Sequence, residues 1–208
     1  MRLTIQQVDT MELPRRERTL DPAFVLEAYT AGFFPMADPK SGDISWYSPD
    51  PRSVLPLAGF HITRSLRTIV RKGIFEIRIN TAFDQVITGC SLRAETWISE
   101  DVREAFLALH KNGFAHSVEA WQSGNLAGGL YGLAIRGAFF GESMFSLLPN
   151  SSKVALVHLV QHLRARKFDL LDVQFMTSHL AGLGAIEIPR SVYMKRLAKA
   201  LRSQSTFS

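Results

Sequence analysis

The chain has 208 residues, a formal net charge of +5 and 46% hydrophobic residues, a composition that fits a folded core and excludes an intrinsically disordered protein. Its apolar runs are shorter than the ~20 residues that cross a bilayer, and the N-terminal residues lack the apolar stretch of a signal peptide. We therefore expect a cytoplasmic protein without a membrane partner. Its single cysteine, Cys90, is expected to be a packed thiol.

The first predicted element is a helix that begins after the N-cap Asp21 and ends at Gly32. A stretch dense in Pro, Gly, Asp and Ser follows at residues 33–57 and is expected to be a loop. Trp46 and Tyr47 lie inside this loop. They are candidates either to stack on a ligand ring or to fill a seam between domains.

The next predicted helix begins after Thr63 and ends at Lys72. Arg64, Arg67 and Arg71 occupy positions i, i+3 and i+7, so they share one face of this helix. A basic face of this kind favours an anionic partner such as nucleic acid, although a solvated helix face carries the same pattern.

The remaining predicted elements alternate between strands and helices. In chain order they are a strand at 75–79, helices at 82–90 and 100–111, an antiparallel meander of three strands at 116–146, a helix at 152–167, a strand at 170–175, a short helix up to Gly184 and a helix at 189–201. The order predicts a mixed α/β fold in which a long helix crosses over between the meander and a later strand.

Two of these apolar strands contain a carboxylate. Glu142 lies in FFGESMFS (residues 139–146), and Asp172 lies in LLDVQF (residues 170–175). A buried acid is costly unless it is paired or hydrogen-bonded, so it indicates either a structural partner such as a buried arginine or a functional site. Asp172 and Gln174 are two residues apart, and in a regular strand both would point into one cleft. Two carboxylates and an amide in an apolar cleft indicate polar chemistry on a bound substrate.

Other catalytic motifs are excluded by their spacing. Residues 141–145 lack the second glycine of a nucleophile elbow, and His158 and His162 lack the glutamate of a zinc-protease helix. The glycines at 128–137 lie in a predicted strand instead of a phosphate-binding loop. We therefore expect no metal and no cofactor.

With these residues, the chain resembles the leucyl/phenylalanyl-tRNA–protein transferases. The resemblance extends from Tyr29 to Arg190 and rests chiefly on WYSPDPR (46–52), FFGESMFS, LLDVQF and HLAGLGAIEIPR (179–190). It implies an enzyme that transfers Leu or Phe, with Met as a further candidate, from aminoacyl-tRNA to the N-terminal Arg or Lys of a protein. That transfer marks the protein for degradation by the N-end rule.

The resemblance also implies a fold: a small N-terminal domain at residues 1–60 and a catalytic domain at 61–208 that is similar to Gcn5-related acetyltransferases. An acyl-CoA-dependent N-acetyltransferase is the alternative within that fold, but the glycine-rich pyrophosphate turn of such enzymes is missing here. A non-catalytic RNA-binding module would explain the basic helix but not the buried acids. The family usually opens with a longer segment rich in Gly and Leu, which is short and different in this chain.

Three residues are expected to be catalytic, and the resemblance supports two of them, Asp172 and Gln174. Asp172 is expected to take the proton of the attacking α-amine through Gln174, which holds the nucleophile. Glu142 is expected to bind the amino group or the ribose hydroxyl of the aminoacyl ester. Many members have Cys where Val173 stands, and in a regular strand this side chain would point away from the cleft.

The expected substrate-binding residues are Tyr29, Trp46, Trp97, Leu130, Phe139 and Met144. The aliphatic residues and Phe139 are expected to form an apolar pocket that accepts both Leu and Phe, although Phe139 can reach it only through a bulge near Gly141. The two tryptophans are expected to hold the terminal adenosine. The acidic residue that would recognise the acceptor's Arg or Lys is left open among Glu142, Asp172 and the loop acids Asp38, Asp43 and Asp50.

An enzyme that accepts both tRNAs cannot read much base sequence, so it should hold the acceptor stem through phosphate contacts. The expected tRNA-binding residues are Arg64, Arg67, Arg71 and Lys72. The C-terminal helix, with Lys195, Arg196 and Lys199, is a weaker candidate. The protein is expected to be a monomer.

Overall fold

The computed structural model describes residues 8–11, 20–92 and 96–208. Its elements, in chain order, are β1 (Val8–Met11), α1 (Pro22–Thr30), β2 (Phe34–Ala37), β3 (Ile44–Pro49), β4 (Arg52–Val54), α2 (Arg64–Arg71), β5 (Glu76–Ile79), α3 (Phe83–Ser91), α4 (Glu100–Lys111), β6 (Ala115–Gln122), β7 (Asn125–Ile135), β8 (Ala138–Ser146), α5 (Ser151–Ala165), β9 (Leu170–Gln174), α6 (Ser178–Ala181), β10 (Ile186–Ile188) and α7 (Arg190–Ala200). The predicted mixed α/β plan is confirmed. The expected difference in the opening segment falls largely outside the described residues.

The strands form two sheets. The smaller sheet has the order β1-β3-β2 and is antiparallel. The larger sheet has the order β10-β4-β9-β8-β7-β6-β5, in which β8 and β9 are parallel and the other neighbours are antiparallel. A parallel pair needs a crossover connection, and α5 provides it.

The stretch at residues 33–57 was expected to be a loop, and this prediction was wrong. It forms β2, β3 and β4. Pro35 is tolerated because β2 is an edge strand, and Pro49 is the last residue of β3. The predicted domain boundary at residue 60 stays a prediction, and β4, which precedes it, pairs with β9 of the larger sheet.

Two apolar cores cover the two faces of the larger sheet. One contains α5 with α2, and the other contains α1, α3, α4 and α7. Phe139 and Phe140 are both fully buried and belong to different cores, as expected for neighbours on a strand. Among the described helices, none is long and apolar enough to span a membrane.

The parallel pairing between β8 and β9 is short. It runs only from Ala138 to Phe140 on β8, although β8 continues to Ser146. Just beyond it, the register of β7 with β8 shifts, and Glu142 is the extra residue of the resulting bulge. A bulge is therefore present near Gly141, where a substrate contact by Phe139 would require one. Beyond Phe140, β8 is no longer paired with β9.

Candidate active site

A cavity of about 520 Å³ opens where β8 and β9 cease to pair. Its walls are mainly apolar. Leu156 and Leu159 contribute from α5, while Leu130 and Leu171 contribute from the sheet. This volume lies within the range of small-molecule sites, and the apolar lining suits a hydrophobic side chain.

Two polar side chains meet at this cavity. The Gln174 amide nitrogen Nε2 donates to Glu142 Oε1 at 3.2 Å, and both residues line the cavity wall. Burial raises the pKa of the Glu142 carboxyl to about 8, and the nearby Asp172 carboxylate contributes to the increase. Glu142 therefore holds a proton through much of the neutral range and can exchange it near pH 8.

Asp172 lies behind the cavity wall instead of facing it. Its side chain is fully buried and forms a bidentate ion pair with Arg52, with a shortest distance of 2.6 Å from Nη2 to Oδ2. The Tyr193 hydroxyl donates to Oδ2 at 2.8 Å, and the Gln174 backbone N–H donates to Oδ1 at 2.9 Å. The predicted relay from Asp172 through the Gln174 side chain is therefore not present, because Asp172 contacts Gln174 only through its backbone.

The backbone conformation of Gln174 explains this arrangement. Its φ angle is +56°, in the left-handed region that residues other than glycine rarely adopt. Leu171 and Val173 line the cavity and Asp172 does not, so regular alternation ends at Gln174, which lines the cavity directly after Val173. The prediction that Asp172 and Gln174 share one cleft was therefore wrong. The prediction that Val173 points away was also wrong, because Val173 lies on the same side of β9 as Leu171 and lines the cavity with it.

The structure brings some of the predicted substrate residues together. Trp97, Leu130 and Met144 line the cavity. Tyr29 is fully buried close to Glu142, and burial together with the nearby Glu142 carboxyl raises the pKa of its hydroxyl well above the usual value. Tyr29 is thus placed to support the carboxyl from behind.

Two predicted substrate residues lie elsewhere. Trp46 is 1% exposed on the central strand β3, and its ring packs edge-on against Phe24 at a centroid distance of 5.1 Å. Phe139 is fully buried against Phe207 in the α5 core. Core packing covers both rings, so the expected contacts of Trp46 with adenosine and of Phe139 with the substrate side chain are corrected.

Sequence reasoning missed several residues of the site. Phe34 and Met36 line the cavity from β2, which had been expected to be a loop. The sequence could have indicated Leu156 and Leu159, because they lie three residues apart on the predicted helix that follows the Glu142 strand in the chain. Arg52 had a weaker signal as the last residue of WYSPDPR, and nothing local pointed to Tyr193.

The basic residues lie outside the cavity. Arg64, Arg67, Arg71 and Lys72 are exposed on α2 and at its end, and Leu66 is the buried residue of that helix. On α7, Lys195 and Arg196 are exposed, whereas Lys199 forms an ion pair with Asp169 at 2.6 Å.

Two loop acids have structural roles. Asp38 accepts backbone hydrogen bonds from Lys40 and Ser41 within a turn. Asp50 accepts a hydrogen bond from the backbone N–H of Arg190, where α7 begins. Within the described ranges, no group of three His, Cys, Asp or Glu side chains is placed to hold a metal ion.

Two family models match the chain. The model described as leucyl/phenylalanyl-tRNA protein transferase matches residues 54–198, and the model for the N-terminal domain of the same proteins matches residues 18–50. Relatives named leucyl/phenylalanyl-tRNA–protein transferase include one from Chlorobaculum parvum, 54% identical over 88% of this chain and 96% of its own length. Another, from Rubrobacter xylanophilus, is 52% identical over 91% of this chain and 99% of its own length.

Solved structures give weaker likenesses. A ribosomal-protein-alanine N-acetyltransferase from Brucella melitensis is 14% identical and has a TM-score of 0.37, with 52% of this chain and 84% of that chain covered. The C-terminal domain of a putative lysylphosphatidylglycerol synthetase from Agrobacterium fabrum is 10% identical and has a TM-score of 0.43, with 88% and 58% covered. Both TM-scores are too low to carry an argument about fold or function.

Proposed function

The chain belongs to the leucyl/phenylalanyl-tRNA–protein transferase family, and we propose that it transfers Leu or Phe to proteins that begin with Arg or Lys, marking them for degradation by the N-end rule. Membership makes it an aminoacyltransferase whose substrates are aminoacyl-tRNA and a protein. The alternatives of an acyl-CoA acetyltransferase and a non-catalytic RNA-binding module are therefore set aside. A cytoplasmic location and a monomeric state stay predictions.

The observation that carries the proposal is an apolar cavity whose wall includes the Glu142–Gln174 pair. The side chains of Leu, Phe and Met are uncharged and vary in shape. A cavity lined by flexible aliphatic side chains such as Leu156 and Leu159 tolerates that variation. With the side chain held there, the reacting carbonyl would lie near the polar pair.

The reaction is aminolysis of an ester. The acceptor's α-amine attacks the carbonyl carbon, the bond from that carbon to the ribose oxygen breaks, and the ribose oxygen takes up a proton. The amine must lose a proton as the new C–N bond forms. Its pKa near ~8 is close to that of Glu142, so the ionised fraction of Glu142 is well matched as proton acceptor. Gln174 would orient Glu142 and the attacking amine.

Two further groups would hold the rest of the aminoacyl-tRNA. Trp97 and Met36 both line the cavity. Trp97 stays a candidate to pack on the terminal adenosine, and Met36 takes the place of Trp46. The exposed Arg64, Arg67 and Arg71 of α2 would contact phosphates of the acceptor stem.

The direct test follows labelled Leu and Phe from their tRNAs to a synthetic peptide. Transfer is expected to peptides that begin with Arg or Lys and not to a matched peptide that begins with Asp. An N-acetylated Arg peptide controls for the need for a free α-amine. Transfer that is indifferent to the first residue of the peptide would overturn the proposed acceptor class, and transfer from acetyl-CoA would restore the alternative activity.

A second test addresses α2. The double variant Arg67→Ala and Arg71→Ala is expected to weaken binding of Leu-tRNA and Phe-tRNA equally and to flatten the salt dependence of binding, because fewer counterions are released. Transfer from a short aminoacyl-adenosine donor, which has no stem, should be unchanged. Full tRNA affinity in the double variant would show that α2 is an ordinary solvated face.

A further inference from the structure

A cluster of three buried residues lies directly behind the cavity wall: Arg52, Asp172 and Tyr193. The side chains of Asp172 and Tyr193 are fully buried, and Arg52 is 1% exposed. Burying an ion pair is costly and gives little net stability compared with apolar packing of the same volume. The cluster therefore requires a reason other than stability.

Arg52 connects three separate parts of the chain. Its Nε and Nη2 atoms donate to Asp172 on β9, and its Nη1 donates to the Gly32 carbonyl oxygen at 3.2 Å. Its guanidinium also lies 4.6 Å from the ring centroids of both Phe34 and Tyr193. It thus joins β9 and α7 to the turn that precedes β2, the strand from which Phe34 lines the cavity.

Tyr193 completes the hydrogen bonding of Asp172. Burial raises the pKa of the Tyr193 hydroxyl well above its usual value, and the neighbouring Asp172 carboxylate adds to the rise, so the hydroxyl stays protonated and donates. With both oxygens fixed by Arg52 and Tyr193, Asp172 is held in one orientation.

That orientation determines the conformation of Gln174. Asp172 Oδ1 accepts the Gln174 backbone N–H, and Gln174 has a φ angle of +56°. Left-handed backbone is unfavourable for glutamine by about 1 kcal/mol or more, so it persists only where surrounding contacts impose it. In this conformation the Gln174 side chain reaches Glu142.

We propose that Arg52 and Tyr193 are positioning residues for aminoacyl transfer, which act by fixing Asp172 so that it holds Gln174 in its left-handed conformation against Glu142. This inference rests on the proposed function for the role of Glu142 and Gln174. Neither Arg52 nor Tyr193 lines the cavity, so neither would touch the reacting atoms.

Tyr193→Phe removes only the hydroxyl and keeps the ring beside Arg52. We expect kcat to fall roughly 10-fold, because small displacements of reacting groups are costly, while KM for aminoacyl-tRNA stays within about twofold. The matched control is Thr81→Val, which removes a hydroxyl that donates to another buried carboxylate, Glu119, away from the cavity. It should lower the melting temperature without lowering kcat. Equal kcat in wild type and Tyr193→Phe would overturn the proposal.

A double-mutant cycle separates positioning from a general structural role. If Tyr193 acts through Gln174, Tyr193→Phe should cost less than about twofold in kcat when added to Gln174→Ala. A full 10-fold loss in that background would contradict the proposal. Arg52→Lys, which keeps the charge but cannot form the two-point contact, should repeat the pattern and serves if Tyr193→Phe does not fold.

One readout is independent of activity. The side-chain amide signal of Gln174 in the NMR spectrum should shift in Tyr193→Phe and stay unchanged in Thr81→Val. If the wild type failed to transfer Leu or Phe, the proposed function would be wrong, and this signal would still test the positioning. An unchanged Gln174 signal in Tyr193→Phe, with an active wild type, would reject the positioning alone.

Discussion

Two glutamates of the larger sheet, on the two strands that flank β7, have different environments. Glu119 on β6 is fully buried and accepts hydrogen bonds from the backbone N–H groups of Thr81 and Ala82 and from the side chains of Ser117, Thr81 and Trp121. Glu142 on β8 is partly exposed to a cavity, where the Gln174 side chain donates to it and the buried Tyr29 hydroxyl lies close by. A buried acid is therefore not in itself a sign of function.

The difference lies in the number of donors and in access. Glu119 accepts hydrogen bonds from five neighbouring groups. These bonds hold the turn before α3 in place and leave no acceptor site on Glu119 for a ligand. Glu142 has fewer donors than Glu119 among the described residues, and burial raises its pKa to about 8. It can therefore bind a substrate amine and exchange a proton.

The largest expected effect concerns Glu142. Glu142→Gln replaces the carboxyl with a neutral amide of the same shape and is expected to reduce transfer roughly 100-fold, because the proton acceptor is lost. Its melting temperature at pH 7 should stay near that of wild type, since Glu142 is itself mostly protonated there. Single-turnover transfer and calorimetry measure the two quantities. A rate near wild type would remove Glu142 from the chemistry.

Glu119→Gln should show the reverse behaviour. The new amide NH₂ would face donors, which leaves buried N–H and O–H groups unpaired and costs about 2–3 kcal/mol of unfolding free energy. A melting temperature lowered by roughly 5 °C or more is expected, with the rate per folded molecule unchanged. An intact melting temperature would show that the hydrogen bonds of Glu119 contribute little.

The cavity next to Glu142 gives a third test. Leu159→Phe would fill part of it and should lower transfer of Phe more than transfer of Leu, by a ratio of roughly 10. Both donors are compared in one competition assay, so the amount of folded enzyme cancels. An unchanged ratio would place the substrate side chain elsewhere.

A fourth test concerns the dependence of the unfolding free energy on pH. The folded state keeps a proton on Glu142 up to about pH 8, whereas the unfolded chain releases it near the ordinary glutamate pKa of 4.5. Glu142 therefore contributes a decrease in unfolding free energy as pH rises between these values. Urea titrations should show that the unfolding free energy decreases less from pH 5 to pH 8 in Glu142→Gln than in wild type. Parallel decreases in both proteins would contradict the raised pKa.

The parts of the fold that local chemistry determines were predictable. Asp21, Thr63 and Ser99 each accept a backbone hydrogen bond at a helix start, as their positions in the sequence indicated. β2 and β3 pair locally and were missed because Pro and Gly mask their alternation, whereas β4 was missed because its partner β9 is distant in the sequence. The alternation of apolar and polar residues in a strand does not reveal which other strand will pair with it.

The candidate site was predictable in its chemistry but not in its geometry. Glu142, Asp172 and Gln174 were found because polar residues are unusual in apolar strands. Their orientation depends on the positive φ angle of Gln174 and on Arg52, a residue 120 positions from Asp172. Glu119 shows the limit of the same reasoning, since it is also an acid within a strand and is structural.

The order in which the chain is synthesised determines when the contacts of Arg52 can form. Arg52 emerges from the ribosome long before Asp172, and Tyr193 follows later still. Until Asp172 has been synthesised, the Arg52 guanidinium has no carboxylate to pair with, and β4 cannot pair with β9 in the sheet. Closing so long a loop is an entropically costly step that comes late in folding. A nascent chain that stalls before residue 193 lacks the Tyr193 hydroxyl, so the buried Asp172 carboxylate would be left without one of its hydrogen-bond donors.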